Sequence, residues 1–255
     1  MKTKLLVFLA IFLLAAGIVF GYIGITRYTA EQNAGKLYDE LRTDLVIEPP
    51  TDLPLVQEEQ PLQNPIDFDA LTAEYPDAYA WIYIPGTNVD YPIVQHESDN
   101  SYYLTHTIDG QKKKEGAIYT ENYNTKTFED PNTIIYGHDM RNGSMFKTLH
   151  KFKDKQFFLE NQDLYIYQSD RILQYKIFAA YISDNRHLML TFDFSDENIF
   201  RNYLKNILTK TNISSNIDIS VGVDENDKII TLSTCNGNNA QRYLVQAVLV
   251  STVEH

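Results

Sequence analysis

The stretch TLSTCNGNNAQRYLV, residues 231–245, carries Cys235, the only cysteine among 255 residues. A β-branched run gives way there to a Gly/Asn loop, and Arg242 follows seven residues later. If 228–235 and 242–250 pair as a hairpin, the strand ends bring Cys235 and Arg242 together. A guanidinium at that place stabilises a thiolate, or the oxyanion formed when the thiolate attacks a carbonyl. A thiol nucleophile also needs a proton partner, normally histidine. Of His96, His106, His138, His150, His187 and His255, His138 stands out. It ends the strand-like run NTIIYG and opens a loop containing RNG, which copies the placement of Cys235. His150, in KTLHKFKDK, reads as part of a solvated basic helix face. The plainer role for a lone cysteine is a small buried hydrophobe, and for His138 a surface loop residue.

The elements that must position these residues follow from hydropathy and periodicity. Residues 5–26 contain no charge and as a helix would span roughly 33 Å, enough to cross a bilayer. Lys2 and Lys4 precede them, which orients the N-terminus inward and the remainder outward. A cleaved signal peptide would have a shorter apolar stretch. The sequence therefore predicts a four-residue cytoplasmic tail (1–4), a single-pass anchor (5–26) and an extracytoplasmic remainder. An idle exposed thiol there would be an oxidation hazard, which favours a working role for Cys235. Residues 27–47 read as a helix with Leu37, Leu41 and Leu45 at four-residue spacing. EPPTDLPLVQEEQPLQNP, with five prolines, reads as an extended spacer. Together 27–66 form a predicted stalk, with one catalytic-sized domain over 67–255.

Within that domain, short strand-like runs dominate: WIYIP, VDYPIVQ, GAIYT, NTIIYG, LYIYQS, RILQYKIFAAYI, IDISVG, KIITLSTC and RYLVQAVLV. One amphipathic helix interrupts them, in SDENIFRNYLKNILTKTN, with Ile199, Tyr203, Leu204, Ile207 and Leu208 on one face. The pattern is all-β with added helices, a closed barrel or sandwich. A net charge of −12 argues against nucleic acid as a partner. Neither a metal-ligand spacing nor a phosphate loop nor a GxSxG elbow is present, so no metal and no cofactor is expected.

At these residues the chain resembles the class B sortases. The matching pieces are TLSTC with Arg242 downstream, NTIIYGHDM (132–140), AWIYIPGTNVDYPIVQ (80–95), DNSYYL (99–104) and a helical insert near 195–211. The resemblance covers about 67–250. It implies a closed eight-stranded β-barrel with an N-terminal helix and a helical insert before the last strand pair. It further implies a transpeptidase of Gram-positive bacteria acting on surface proteins that bear a C-terminal sorting signal. The cysteine attacks the carbonyl of the signal's threonine to give a thioacyl-enzyme. An amine of a peptidoglycan precursor or cross-bridge then releases the protein onto the wall. On this resemblance Cys235 is the nucleophile, His138 the general acid and Arg242 the residue that holds substrate backbone or oxyanion. Ser233 and Thr234 would line the groove, and Asn100, Leu104 and Leu190 would bind the signal. The loop NGNNAQ is shorter than in some class B members. Alternative readings are a pilin-polymerising sortase, a hydrolytic cysteine protease, and a non-enzymatic anchored β-domain.

Overall fold

The computed structural model describes residues 2–33, 35–46, 64–210 and 215–254. Most of the proline-rich spacer, from 47 to 63, lies outside the described residues, as does His255. The helices are α1 (Lys2–Asn33), α2 (Lys36–Leu45), α3 (Phe68–Glu74), α4 (Tyr102–Thr105), α5 (Lys155–Glu160), α6 (Leu188–Thr191) and α7 (Glu197–Leu208). The strands are β1 (Ala78–Tyr83), β2 (Asp90–Val94), β3 (Ile118–Thr120), β4 (Asn132–Tyr136), β5 (Asp163–Tyr167), β6 (Arg171–Asp184), β7 (Asn216–Ile217), β8 (Ile229–Cys235) and β9 (Gln241–Glu254).

Neighbours run β5-β1-β2-β3-β4-β8-β9-β6, and β6 pairs again with β5, so eight strands close into the expected barrel. The short β7 adds to β6 outside that ring. Junctions β2–β3 and β4–β8 are parallel. Alternation along each strand divides two cores. Ile230, Leu232, Tyr243, Val245 and Ala247 face the barrel interior with Trp81. Ile229, Leu244, Val248 and Phe178 face outward beneath the insert helices.

Asp196 caps α7 by accepting from the Asn198 and Ile199 amides, as a helix start of this composition requires. The buried face is Phe200, Tyr203, Leu204 and Ile207 rather than one that includes Ile199. Phe200 turns inward because its ring meets Phe194 edge-on, at 5.8 Å and 82°. Beneath α7 a buried polar chain links the strands, with Asn132 Nδ2 left without a partner among the described residues. Gln246 Nε2 donates to Tyr203 Oη and Thr231 Oγ1, both at 2.8 Å. Tyr181 Oη donates to Gln246 Oε1 at 3.1 Å, and Thr231 Oγ1 to Asn132 Oδ1 at 2.8 Å. This chain ties the insert to β4, β6, β8 and β9.

Three local expectations are corrected. IDISVG contributes only β7 and a 3-10 turn at Ile219–Val221, because the Asp218 carboxylate accepts the Ser220 amide at 3.0 Å and closes a local turn. KTLHKFKDK is a 3-10 helix, Lys147–Lys153, that buries Leu149 and Phe152 and leads into α5. Its lysines are exposed, but the segment is packed, not a solvated face. Finally α2, inside the range read as stalk, docks on the barrel. Tyr38, Leu41 and Leu45 are buried, and Tyr38 Oη donates to the Gly116 carbonyl at 2.6 Å. Arg42 donates to the Asp90 carbonyl at 2.7 Å and lies 4.5 Å over the Tyr91 ring.

Candidate active site

Register alone brings the three candidate residues together. Antiparallel β8 and β9 pair Cys235 directly with Arg242, which puts both side chains on the same face of the sheet. Parallel β4 and β8 pair Tyr136 with Ser233, and the Gly137 amide continues the ladder to the Ser233 carbonyl at 3.2 Å. His138 is two residues beyond Tyr136, as Cys235 is two beyond Ser233. The outward positions of three adjacent strands therefore read Ile134, Tyr136 and His138; Ser233 and Cys235; Leu244 and Arg242. All seven line one cleft of about 220 Å³, walled on its far side by residues 184–188 and roofed at one end by Leu104.

Gly137 is required by close approach. A Cβ there would fall 2.6 Å from both Ile118 Cδ1 and Phe146 Cδ2, within a fully buried contact. Cys235 is exposed at its strand end. His138 Nε2 donates to the Leu104 carbonyl at 2.7 Å, and because a carbonyl can only accept, that nitrogen carries a proton. Arg242 Nη1 donates to the Gln241 carbonyl at 2.9 Å, and Asn185 anchors the same loop through the Asn239 carbonyl at 3.0 Å. Burial pushes the phenols of Tyr119 and Tyr136 above their ordinary range, while the Arg242 charge opposes part of that rise.

The remaining sequence candidates divide. Leu104 and Ser233 line the cleft. Thr234 contributes to its wall, but its side chain has the opposite strand parity and is 2% exposed, with Oγ1 unpartnered among the described residues. Asn100 is not among the cleft residues; its Oδ1 accepts the Asn122 amide at 2.7 Å and latches a neighbouring loop. Leu190 is 67% exposed on α6 and points away, because Leu188 is the residue α6 buries toward the cleft.

Several residues escaped the sequence reading. His187 donates to Glu121 Oε2 at 2.8 Å while its Nδ1 accepts the Leu190 amide at 3.3 Å, so it caps α6 and pins it to the end of β3. Tyr136 Oη donates to the same carboxylate oxygen at 3.2 Å. His150 is the larger omission: its Nε2 is 3.1 Å from the Cys235 carbonyl and 3.2 Å from Asp139 Oδ2. A larger hollow, about 920 Å³, lies between α1 and the loop at Lys112–Lys114, but none of Cys235, His138 and Arg242 lines it.

What the cleft can do is acyl transfer: an accessible thiol, an imidazole that holds a proton and a guanidinium share one surface. Residues 82–250 match the family described as sortase domain. Sortase B of Listeria monocytogenes is 35% identical over 178 residues, 69% of this chain and 70% of that protein. Sortase B of Staphylococcus aureus is 24% identical over 250 residues, 97% of both chains. The crystal structure of Clostridium perfringens sortase B superposes with a TM-score of 0.66 at 30% identity, covering 72% of this chain and all of that one.

Proposed function

The chain belongs to the class B sortases, cysteine transpeptidases, and from that premise we propose that it cleaves a C-terminal sorting signal after threonine and transfers the protein to a peptidoglycan amine. The observation that carries this reading is the convergence of Cys235, His138 and Arg242 on one barrel edge through strand register. Cys235 attacks the threonine carbonyl carbon as a thiolate whose proton has passed to His138, and the carbonyl oxygen takes the negative charge beside Arg242. As the C–N bond breaks, His138 gives its proton to the departing amine, leaving a thioester on Cys235. An incoming amine attacks that thioester, the C–S bond breaks, and the amine's proton passes to His138. Atoms and charge balance without a cofactor.

The N-terminal helix supports a membrane-anchored form of this enzyme. Ile11–Ala30 is a 20-residue stretch of mean hydropathy 1.7, none of it buried against the protein. In this reading the cargo is a surface protein bearing the signal, residues 5–26 hold the enzyme in the cell membrane, and the barrel works outside it. The test is to incubate the protein with a threonine-containing sorting peptide, with and without an acceptor amine. Transfer to the amine at the expense of hydrolysis is expected. Hydrolysis that no acceptor diverts would instead mark a protease, and a pilin lysine outcompeting peptidoglycan amines would mark the pilin-polymerising alternative.

A further inference from the structure

We propose that His150 is a positioning residue that, with Lys153, fixes the Cys235–Asn236 peptide so that the Asn236 N–H serves as an oxyanion donor in the cleft. The inference rests on the transpeptidase reading and concerns how its tetrahedral intermediate is held. His150 lies on the 3-10 helix Lys147–Lys153, outside the cleft lining, and reaches the nucleophile's backbone from behind.

Both partners of His150 Nε2, the Cys235 carbonyl and the Asp139 carboxylate, are acceptors, so this nitrogen bears the ring proton. Nδ1 is buried without a partner among the described residues, so a second proton there would be left unsatisfied. Burial, with Lys153 next in effect, holds the imidazole below its usual range, in keeping with a neutral ring. The groups around it are Asp139, paired with Lys147 at 2.8 Å, Lys153, and the Tyr243 ring at 5.0 Å. One neutral donor thus ties the residue next to His138 to the carbonyl of Cys235.

A second anchor acts on the other half of that peptide. Lys153 Nζ donates to Asn236 Oδ1 at 2.9 Å, and Asn236 Nδ2 donates to Gln241 Oε1 at 3.2 Å. In a trans peptide the N–H points opposite to the C=O. With the Cys235 carbonyl held toward His150, the Asn236 N–H is directed away from the 3-10 helix, and it meets no acceptor among the described residues. A fixed, unpaired N–H on the residue after a nucleophile is what a developing oxyanion needs.

The test separates carbonyl attack from thiol reactivity. Single-turnover acylation of the full chain by a sorting peptide is compared with alkylation of Cys235 by iodoacetamide, which attacks a saturated carbon and forms no oxyanion. His150→Ala is expected to slow acylation by about ten-fold or more. Its KM and alkylation rate should stay within about two-fold of wild type. His150→Gln, whose amide nitrogen can replace Nε2–H, is expected to restore most of the acylation rate. Lys153→Met, at an exposed contact that leaves the fold intact, should slow acylation by about three-fold and leave alkylation unchanged. Wild-type acylation rates in His150→Ala, equal losses in acylation and alkylation, or a glutamine variant no better than alanine would each overturn the proposal. Should His150→Ala not fold, unchanged acylation in Lys153→Met decides against it. A wild-type protein that forms no thioester overturns the transpeptidase reading itself, and this inference with it.

Discussion

At the scale of single residues, the proposed reaction assigns roles to three side chains that differ in what their loss should cost. Cys235→Ala and His138→Ala each remove an atom that makes or breaks a bond, and turnover of a sorting peptide is expected to fall by at least about 10³-fold. Arg242→Ala removes a charge facing the oxyanion, so a loss of about 10²–10³-fold is expected with the melting temperature unchanged. Calorimetry alongside the peptide assay checks both parts. His150 makes a separate prediction about pH. Its folded-state affinity for a proton is depressed by burial, so the unfolded chain binds a proton near the ordinary value of 6.5 that the folded chain does not. Its contribution leaves stability whole above that value and erodes it as pH falls below. His150→Gln should flatten this part of the profile, read from urea midpoints across that window; a wild-type curve no steeper than the variant's would contradict it.

At the scale of elements, the sequence was most legible where side-chain alternation and burial coincide. KIITLSTC and RYLVQAVLV announce β8 and β9 because their apolar residues serve two cores, one inside the barrel and one beneath α7. The pairing of Cys235 with Arg242 then follows from hairpin geometry. The segment around His150 was illegible for a definite reason. Its lysines, which read as a solvated face, are exposed tips, while Leu149 and Phe152 between them are buried. Its contact with Cys235 spans 85 residues of chain, a separation no local pattern encodes. The Glu121–His187 pair was hidden likewise, since one partner ends a strand and the other caps α6. Gly137 belongs to the same scale, because it sets the path of the chain from β4 into His138. Gly137→Ala would drive a methyl into Phe146 and Ile118, neither of which has room to retreat. A stability loss of about 1–3 kcal/mol is expected, as for other overpacked sites. Displacement of His138 should lower turnover by about ten-fold beyond what partial unfolding explains. Denaturation and kinetics on one sample separate the two effects.

At the scale of the whole molecule, the position of α2 governs how the barrel relates to the N-terminal helix. The leucine spacing correctly marks a helix, but spacing alone does not say what the helix packs against. Tyr38, at 1% exposure, contacts the Tyr91 ring edge-on at 5.4 Å and bonds the Gly116 backbone, so α2 is part of the barrel's own core. The Gly116 carbonyl that receives this bond sits on a backbone at φ +56°, where a Cβ would also fall 2.5 Å from the Tyr103 carbonyl, so the position requires glycine. The barrel is thereby joined to the chain just beyond α1, at Lys36, and a tether of ten helical residues is removed from its reach. Tyr38→Ala is expected to cost about 3–5 kcal/mol in the full-length protein, the usual penalty for emptying a buried aromatic site. Barrel and helix should still unfold in one transition. A helix acting only as a tether would give a change within about 0.5 kcal/mol, because its side chains would be as solvated before unfolding as after. The size of that one number therefore distinguishes a barrel held close to the end of α1 from one free to swing on a tether.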